Sequence, residues 1–196
     1  NGVLWSYDKP LIAPERLSVA SLLKNNGYNT ACIGKWHLGL DWQKNTAGEY
    51  DLSSEVKGPG IIGFDYSFII SASLDIPPYV YIENGKVTAT SFDTIGETNG
   101  KGSWRKGVIG NDFKHDQVLE KFTDKAINYI KEKSVSKDPF FLYLAFSSPH
   151  TPILPTKKYL GKSGTKGYGD FVLMTDDMVG KILKAISDAG IENNTL

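Results

Sequence analysis

Pro139 to Phe146 reads Pro-Phe-Phe-Leu-Tyr-Leu-Ala-Phe, an uncharged apolar run. A run of this kind suits a β-strand covered on both faces, as in a parallel sheet. It then breaks into Ser147-Ser148-Pro149-His150-Thr151-Pro152, where two prolines bracket His150 and fix its backbone. The same layout stands earlier in the chain. Thr30 to Ile33 is a short β-prone run that ends at Gly34 and is followed by Lys35, Trp36 and His37 before Gly39. Buried strands that end in polar residues are how an α/β protein delivers chemistry to the carboxyl edge of its sheet.

The rest of the pattern agrees with an α/β fold. Ser18 reads as an N-cap, Leu17 as a residue stapling the helix start, and Val19, Leu22 and Leu23 as an apolar helix face closed by Gly27. Residues 40–63, rich in Gly, Ser, Lys and Asp, read as a long loop. Tyr79 to Thr90 predicts a hairpin about Asn84-Gly85, the preferred pair for a type I′ turn. Residues 91–111 read as a Gly-rich loop, with Trp104 and Arg105 either packed beneath it or exposed to a sugar or an aromatic ring. Helical spacing of Val118, Leu119, Phe122, Ala126, Ile127 and Ile130 predicts a helix over about 113–133, with His115 a surface or capping residue at its start. Phe171, Thr175, Met178, Val179, Ile182, Leu183 and Ile186 mark a final helix closed by Gly190. Asp176 and Asp177 read as polar positions on it.

Composition narrows the partners. With 196 residues, 22 basic and 22 acidic, the chain could form one domain, and nothing in its charge suggests a nucleic-acid or anionic-membrane partner. No apolar run nears the length of a membrane span. No signal peptide opens the chain, and Asn1 is not a start residue, so the beginning is expected to be missing or removed. The one cysteine, Cys32, excludes an internal disulfide and suits a small core residue.

The string Gly27-Tyr28-x-Thr30-Ala31-x-x-Gly34-Lys35-Trp36-His37-Leu38-Gly39 resembles the type I, formylglycine-dependent sulfatase (arylsulfatase) family within the alkaline-phosphatase-like superfamily. The Pro-Phe-Phe…Pro-His-x-Pro run resembles a second segment of that family. Gly63-Phe64 followed by Ser73-x-Asp75 resembles a third, although turn chemistry explains Ser73 and Asp75 equally well. The resemblance implies a partial sulfatase domain over 1–196, with a mixed, largely parallel sheet flanked by helices plus the hairpin at about 79–90. It implies catalytic roles for Lys35 and His37 beside the sulfate and nucleophile and for His150 on the ester. Ser73 and Asp75 would bind substrate.

The family uses a formylglycine made from the Cys or Ser of Cys/Ser-x-Pro-x-Arg, and a calcium ion held by aspartates and an Asp-Asn or Asp-Gln pair. No Cys/Ser-x-Pro-x-Arg occurs here, no paired Asp follows an N-terminal strand, no Asp-Asn-Gly appears, and Cys32 is followed by Ile-Gly-Lys. The chain therefore reads as an internal fragment, inactive alone, with nucleophile and metal ligands lying outside it. The implied partner is a sulfated small molecule or glycan. The implied compartment is periplasmic, secreted or lysosomal. A phosphomonoester or phosphonate hydrolase of the same superfamily stays open, as does a non-catalytic anion-binding relative.

Overall fold

A computed structural model describes residues 2–196. Its main sheet has five strands: β1 Asn29–Lys35, β2 Tyr66–Ile70, β3 Ile82–Glu83, β4 Lys86–Val87 and, after a separate ribbon, β7 Phe140–Ala145. Their order is β4-β3-β2-β1-β7. β1 pairs in parallel with β2 (Ala31 opposite Tyr66) and with β7 (Asn29 opposite Phe140). β3 runs antiparallel to β2, and β4 to β3. The ribbon joins β5 Phe92–Ile95 to β6 Gly107–Gly110. Three helices complete the fold: α1 Val19–Asn25, α2 Val118–Ser134 and α3 Lys166–Asp188.

Period-two alternation assigns the two faces of the sheet. Ala31, Ile33, Phe68 and Ile70 face α2, where they bury Val118, Phe122, Ala126 and Tyr129. Cys32 and Ile69 face the other way, into Trp36, Leu40, Trp42, Val56, Ile62 and Phe64. Each fully buried aliphatic here contributes roughly 1.5–3 kcal/mol. The second face has no large helix over it. It is covered by Leu40, Trp42, Val56 and Ile62 of the 40–63 segment, which is the long loop the sequence predicts, with residues 43–50 exposed. Trp42 donates from Nε1 to the Ser6 carbonyl at 2.8 Å, and Tyr7 stacks on Tyr50 with ring centroids 4.0 Å apart.

Several expected elements hold. Ser18 caps α1 through a capping box with Ser21. Asn84 and Gly85 both adopt positive φ, 48° and 79°, as a type I′ turn requires. Gly190 follows the end of α3 at φ 69°.

Others differ. Leu17 staples nothing, and Val19 and Leu22 are exposed; α1 instead seats its small residues. A Cβ on Gly63 would lie 2.4 Å from the Ser21 nitrogen, so only a glycine allows that approach. On α3 the buried stripe is Phe171, Met174, Met178 and Ala185, which leaves Val179 and Leu183 exposed. β7 is an edge strand among the described residues and is only half-buried, with Tyr143 exposed. Residues 91–111 contain the β5–β6 ribbon, whose four-residue strands are too short to show a period of two, β6 also beginning and ending in glycine.

Candidate active site

The three parallel strands share one carboxyl edge, and the predicted residues gather there. Lys35 is the last residue of β1. The chain then turns over the end of β2: Trp36 N–H donates to Ile70 O at 3.0 Å, and His37 N–H to Ser71 O at 3.1 Å. His37 sits at φ 54°, in the left-handed region that side chains seldom occupy. Strain of that kind persists where surrounding contacts hold it. Here the contacts are the Trp36 indole, which donates to Gly39 O at 2.8 Å, and the His37 ring.

That ring bonds Leu4 O through Nε2 at 2.8 Å. A carbonyl only accepts, so Nε2 carries the proton and Nδ1 is left bare as a base. Burial is the largest influence on His37 and holds its pKa below 6.5. The nearby charges of Lys35 and His150 push the same way, and the Leu4 bond and the Asp75 charge act against them. His37 is therefore neutral near pH 7.

Lys35 is half-buried, and none of the ion pairs among the described residues involves it. Burial holds its ammonium below the ordinary lysine range, while the charge of Asp75 opposes that. Asp75 follows β2 in the turn that closes from Ser73 O to Ile76 N at 3.0 Å. Its Oδ2 accepts from Arg105, and its Oδ1 is buried with no partner among the described residues. Ser73 is buried, and among the described residues its hydroxyl makes no hydrogen bond with His37 or His150, whose rings bond Leu4 O and Thr151 O.

His150 lies in the exposed loop after β7, with cis bonds at Ser148-Pro149 and Thr151-Pro152. Its Nδ1 donates to Thr151 O at 2.7 Å, which leaves Nε2 bare. Two residues at this edge were given no role by the sequence. Ser71 and Ser147 follow β2 and β7, and each carries a buried hydroxyl with no partner among the described residues. Buried polar atoms are nearly always paired, so a cluster of orphans at a sheet edge is where a polar ligand would be met. Serines after apolar runs were the only signal for them, and it is weak.

His115 is the clearest correction. It begins a short 3-10 turn ahead of α2 but is buried. Trp104 stacks on it, with centroids 4.2 Å apart and 16° between planes, and Tyr79 meets it edge-on at 4.4 Å. The ribbon carries Trp104 onto it, a contact that local spacing does not foretell. Burial holds its pKa down at about 4. The unfolded chain would bind that proton near 6.5. The stability His115 contributes is thus complete above pH 6.5 and is lost as pH falls toward 4. The loss is on the order of 3 kcal/mol. We expect His115→Phe to flatten the fall in melting temperature between pH 7 and 4.5; an unchanged slope would refute the assignment.

Among the described residues no three His, Cys, Asp or Glu side chains gather as a metal site. Cys32 is buried in the core, and burial pushes its thiol up to about 12, so it is no nucleophile. Asp177 pairs with Lys158 Nζ at 2.9 Å, a surface contact on α3.

A family model described as Sulfatase matches residues 3–196. An N-acetylgalactosamine-6-O-sulfatase of Bacteroides thetaiotaomicron is 28% identical over 98% of this chain and 45% of its own length. The mouse N-acetylgalactosamine-6-sulfatase is 29% identical over 89% of this chain and 30% of its own. A solved Bacteroides thetaiotaomicron structure, from work on the metabolism of multiple glycosaminoglycans, superposes with a TM-score of 0.84 at 27% identity. That superposition covers 99% of this chain and 46% of the other. The chain thus spans less than half the length of these relatives.

Proposed function

The chain belongs to the sulfatase family, and on that premise we propose that the full-length protein hydrolyses sulfate esters. The substrate class we assign is sugar sulfates, because relatives matching nearly the whole chain are named for N-acetylgalactosamine 6-sulfate. The observation that carries the reading is the convergence of Lys35, His37, Asp75 and His150 at one sheet edge, close enough for their charges to act on one another.

Each group has a task there. Lys35, partly desolvated and in none of the ion pairs among the described residues, donates to a sulfate oxygen and offsets its charge; in a low-dielectric site such a donor is worth more than in water. His37 accepts a proton at Nδ1 while Leu4 holds its tautomer. His150 presents Nε2 to the ester and, once protonated, gives that proton to the leaving oxygen. Ser73 and Asp75 line the substrate side, and the Asp75 charge, paired with Arg105, helps keep Lys35 protonated.

Calcium and formylglycine, which the family resemblance implies, do not fit residues 1–196: the metal ligands and the modified residue would come from chain outside them. Calcium would supply charge to the sulfate oxygens, and formylglycine the nucleophile.

The test is sulfate release by the full-length protein from N-acetylgalactosamine 6-sulfate and 4-nitrophenyl sulfate, against the matching phosphate esters. We expect the sulfates to be cleaved and a calcium chelator to stop it. Cleavage of phosphates alone would sink the reading, and binding without cleavage would leave an anion-binding relative. A further expectation follows from His37. Because its neutral form accepts the proton and its pKa is lowered, kcat/KM should fall on the acid side with a midpoint below 6.5. A midpoint above that value would reject His37 as the base.

A further inference from the structure

Arg105 leaves the β5–β6 ribbon and is fastened to the site from several sides. Its N–H donates to Asp75 O at 3.2 Å, and its carbonyl accepts from Tyr79 Oη at 2.7 Å. Its Nη1 donates to Asp75 O at 3.1 Å and pairs with Asp75 Oδ2. The guanidinium lies over the Trp5 ring, 5.1 Å from its centroid. The preceding residue is pinned as well, because Trp104 stacks on His115 and donates from Nε1 to Gly96 O at 3.1 Å.

Yet the Arg105 side chain is 50% exposed. An exposed ion pair adds little stability, so such anchoring is poorly explained by folding alone. Every hydrogen bond the guanidinium makes among the described residues uses Nη1. Nε and Nη2 remain as donors at the rim.

The neighbours say what that rim adjoins. Asp75 acts on Lys35, and Trp5 follows Leu4, whose carbonyl holds His37. Both supports of Arg105 are thus one step from the proposed reacting groups. Trp5 is itself 54% exposed, a flat apolar surface beside a planar donor. That pairing suits a pyranose ring, with C–H groups for the indole and hydroxyl oxygens for the guanidinium. Asp75 already balances the arginine charge, which favours a neutral oxygen acceptor over a second anion.

Resting on the sulfatase reading, we infer that Arg105, held by Asp75 and Trp5, is a specificity-determining residue that hydrogen-bonds hydroxyl oxygens of the sugar bearing the sulfate. An aryl sulfate has no such hydroxyls, so it reports on the chemistry without this contact.

The experiment compares kcat/KM for N-acetylgalactosamine 6-sulfate and 4-nitrophenyl sulfate in the full-length protein, as wild type, Arg105→Ala and Arg105→Lys. The sugar-to-aryl ratio should fall about tenfold to a hundredfold in Arg105→Ala, mainly through KM. Arg105→Lys should recover little, because an ammonium lacks the planar fork. Trp5→Ala should lower the ratio in the same direction, which keeps the test intact if the Arg105 variants do not fold. An unchanged ratio, with both substrates falling together or neither falling, would overturn the inference. If the wild type cleaves neither ester, the sulfatase reading fails, and calorimetric binding of N-acetylgalactosamine 6-sulfate decides on Arg105. A weaker affinity in Arg105→Ala retains the contact, and an equal affinity removes it.

Discussion

In the full-length protein, Lys35→Ala should lower kcat/KM toward a sulfate ester by about a hundredfold to a thousandfold, the cost of removing one charge-stabilising donor. Lys35 ends β1, is partly desolvated, and forms none of the ion pairs among the described residues, so its charge is available to a ligand. The same geometry says what the change should leave alone. Burial already disfavours the ammonium, so deleting it relieves a desolvation penalty and should not lower the melting temperature. Activity and stability are thus expected to part company, as they do where a site holds groups against the preference of the fold. His150→Ala should show a loss of similar order through the leaving oxygen. Initial rates alongside thermal melts check both. Near-normal turnover in either variant would remove that residue from the chemistry, and a collapse of stability in Lys35→Ala would mark it as structural.

Gly34→Ala should cost the fold on the order of 2–5 kcal/mol, from strain and overlap together. Gly34 sits at φ 123°, and a Cβ there would fall 2.0 Å from the Ala145 carbonyl oxygen and 2.6 Å from its carbon. The obstacle is backbone, on the strand that pairs with β1, so no side chain can swing away. Relief requires β1 and β7 to separate at the end that carries Lys35 and His150. Gly27→Ala is the control. It has a positive φ of 84° but nothing within 4 Å of the added carbon, so only the conformational cost of roughly 1–2 kcal/mol applies. Urea midpoints of the two variants separate overlap from strain. Equal losses would mean that the β1–β7 approach is looser than this geometry implies.

The site divides by distance along the chain. Lys35, His37 and His150 were legible because each follows an apolar run and a breaker within a few residues, and such local patterns survive in sequence. Ser73 and Asp75 were visible too, but their turn chemistry could not be told from a site by spacing alone. Arg105 was legible only as one half of an ambiguous Trp-Arg pair in a glycine-rich loop. Its ion pair reaches back 30 residues to Asp75. The His37 tautomer depends on a carbonyl 33 residues earlier. The burial of His115 depends on the ribbon laying Trp104 over it.

Local pattern was enough for the α/β alternation, the buried strand β1, the type I′ turn at Asn84-Gly85 and the two polar strand ends, because apolar period, glycine and proline act on neighbouring residues; it did not foretell that β7 is half-buried. Tertiary contacts decided which face the 40–63 segment covers, that Val19 and Leu22 of α1 stay exposed, and that Arg105, Trp5, Ser71 and Ser147 join the sheet edge. Those outcomes depend on which backbones can approach closely, as Gly34 and Gly63 allow, and on pairings across tens of residues that no local pattern encodes.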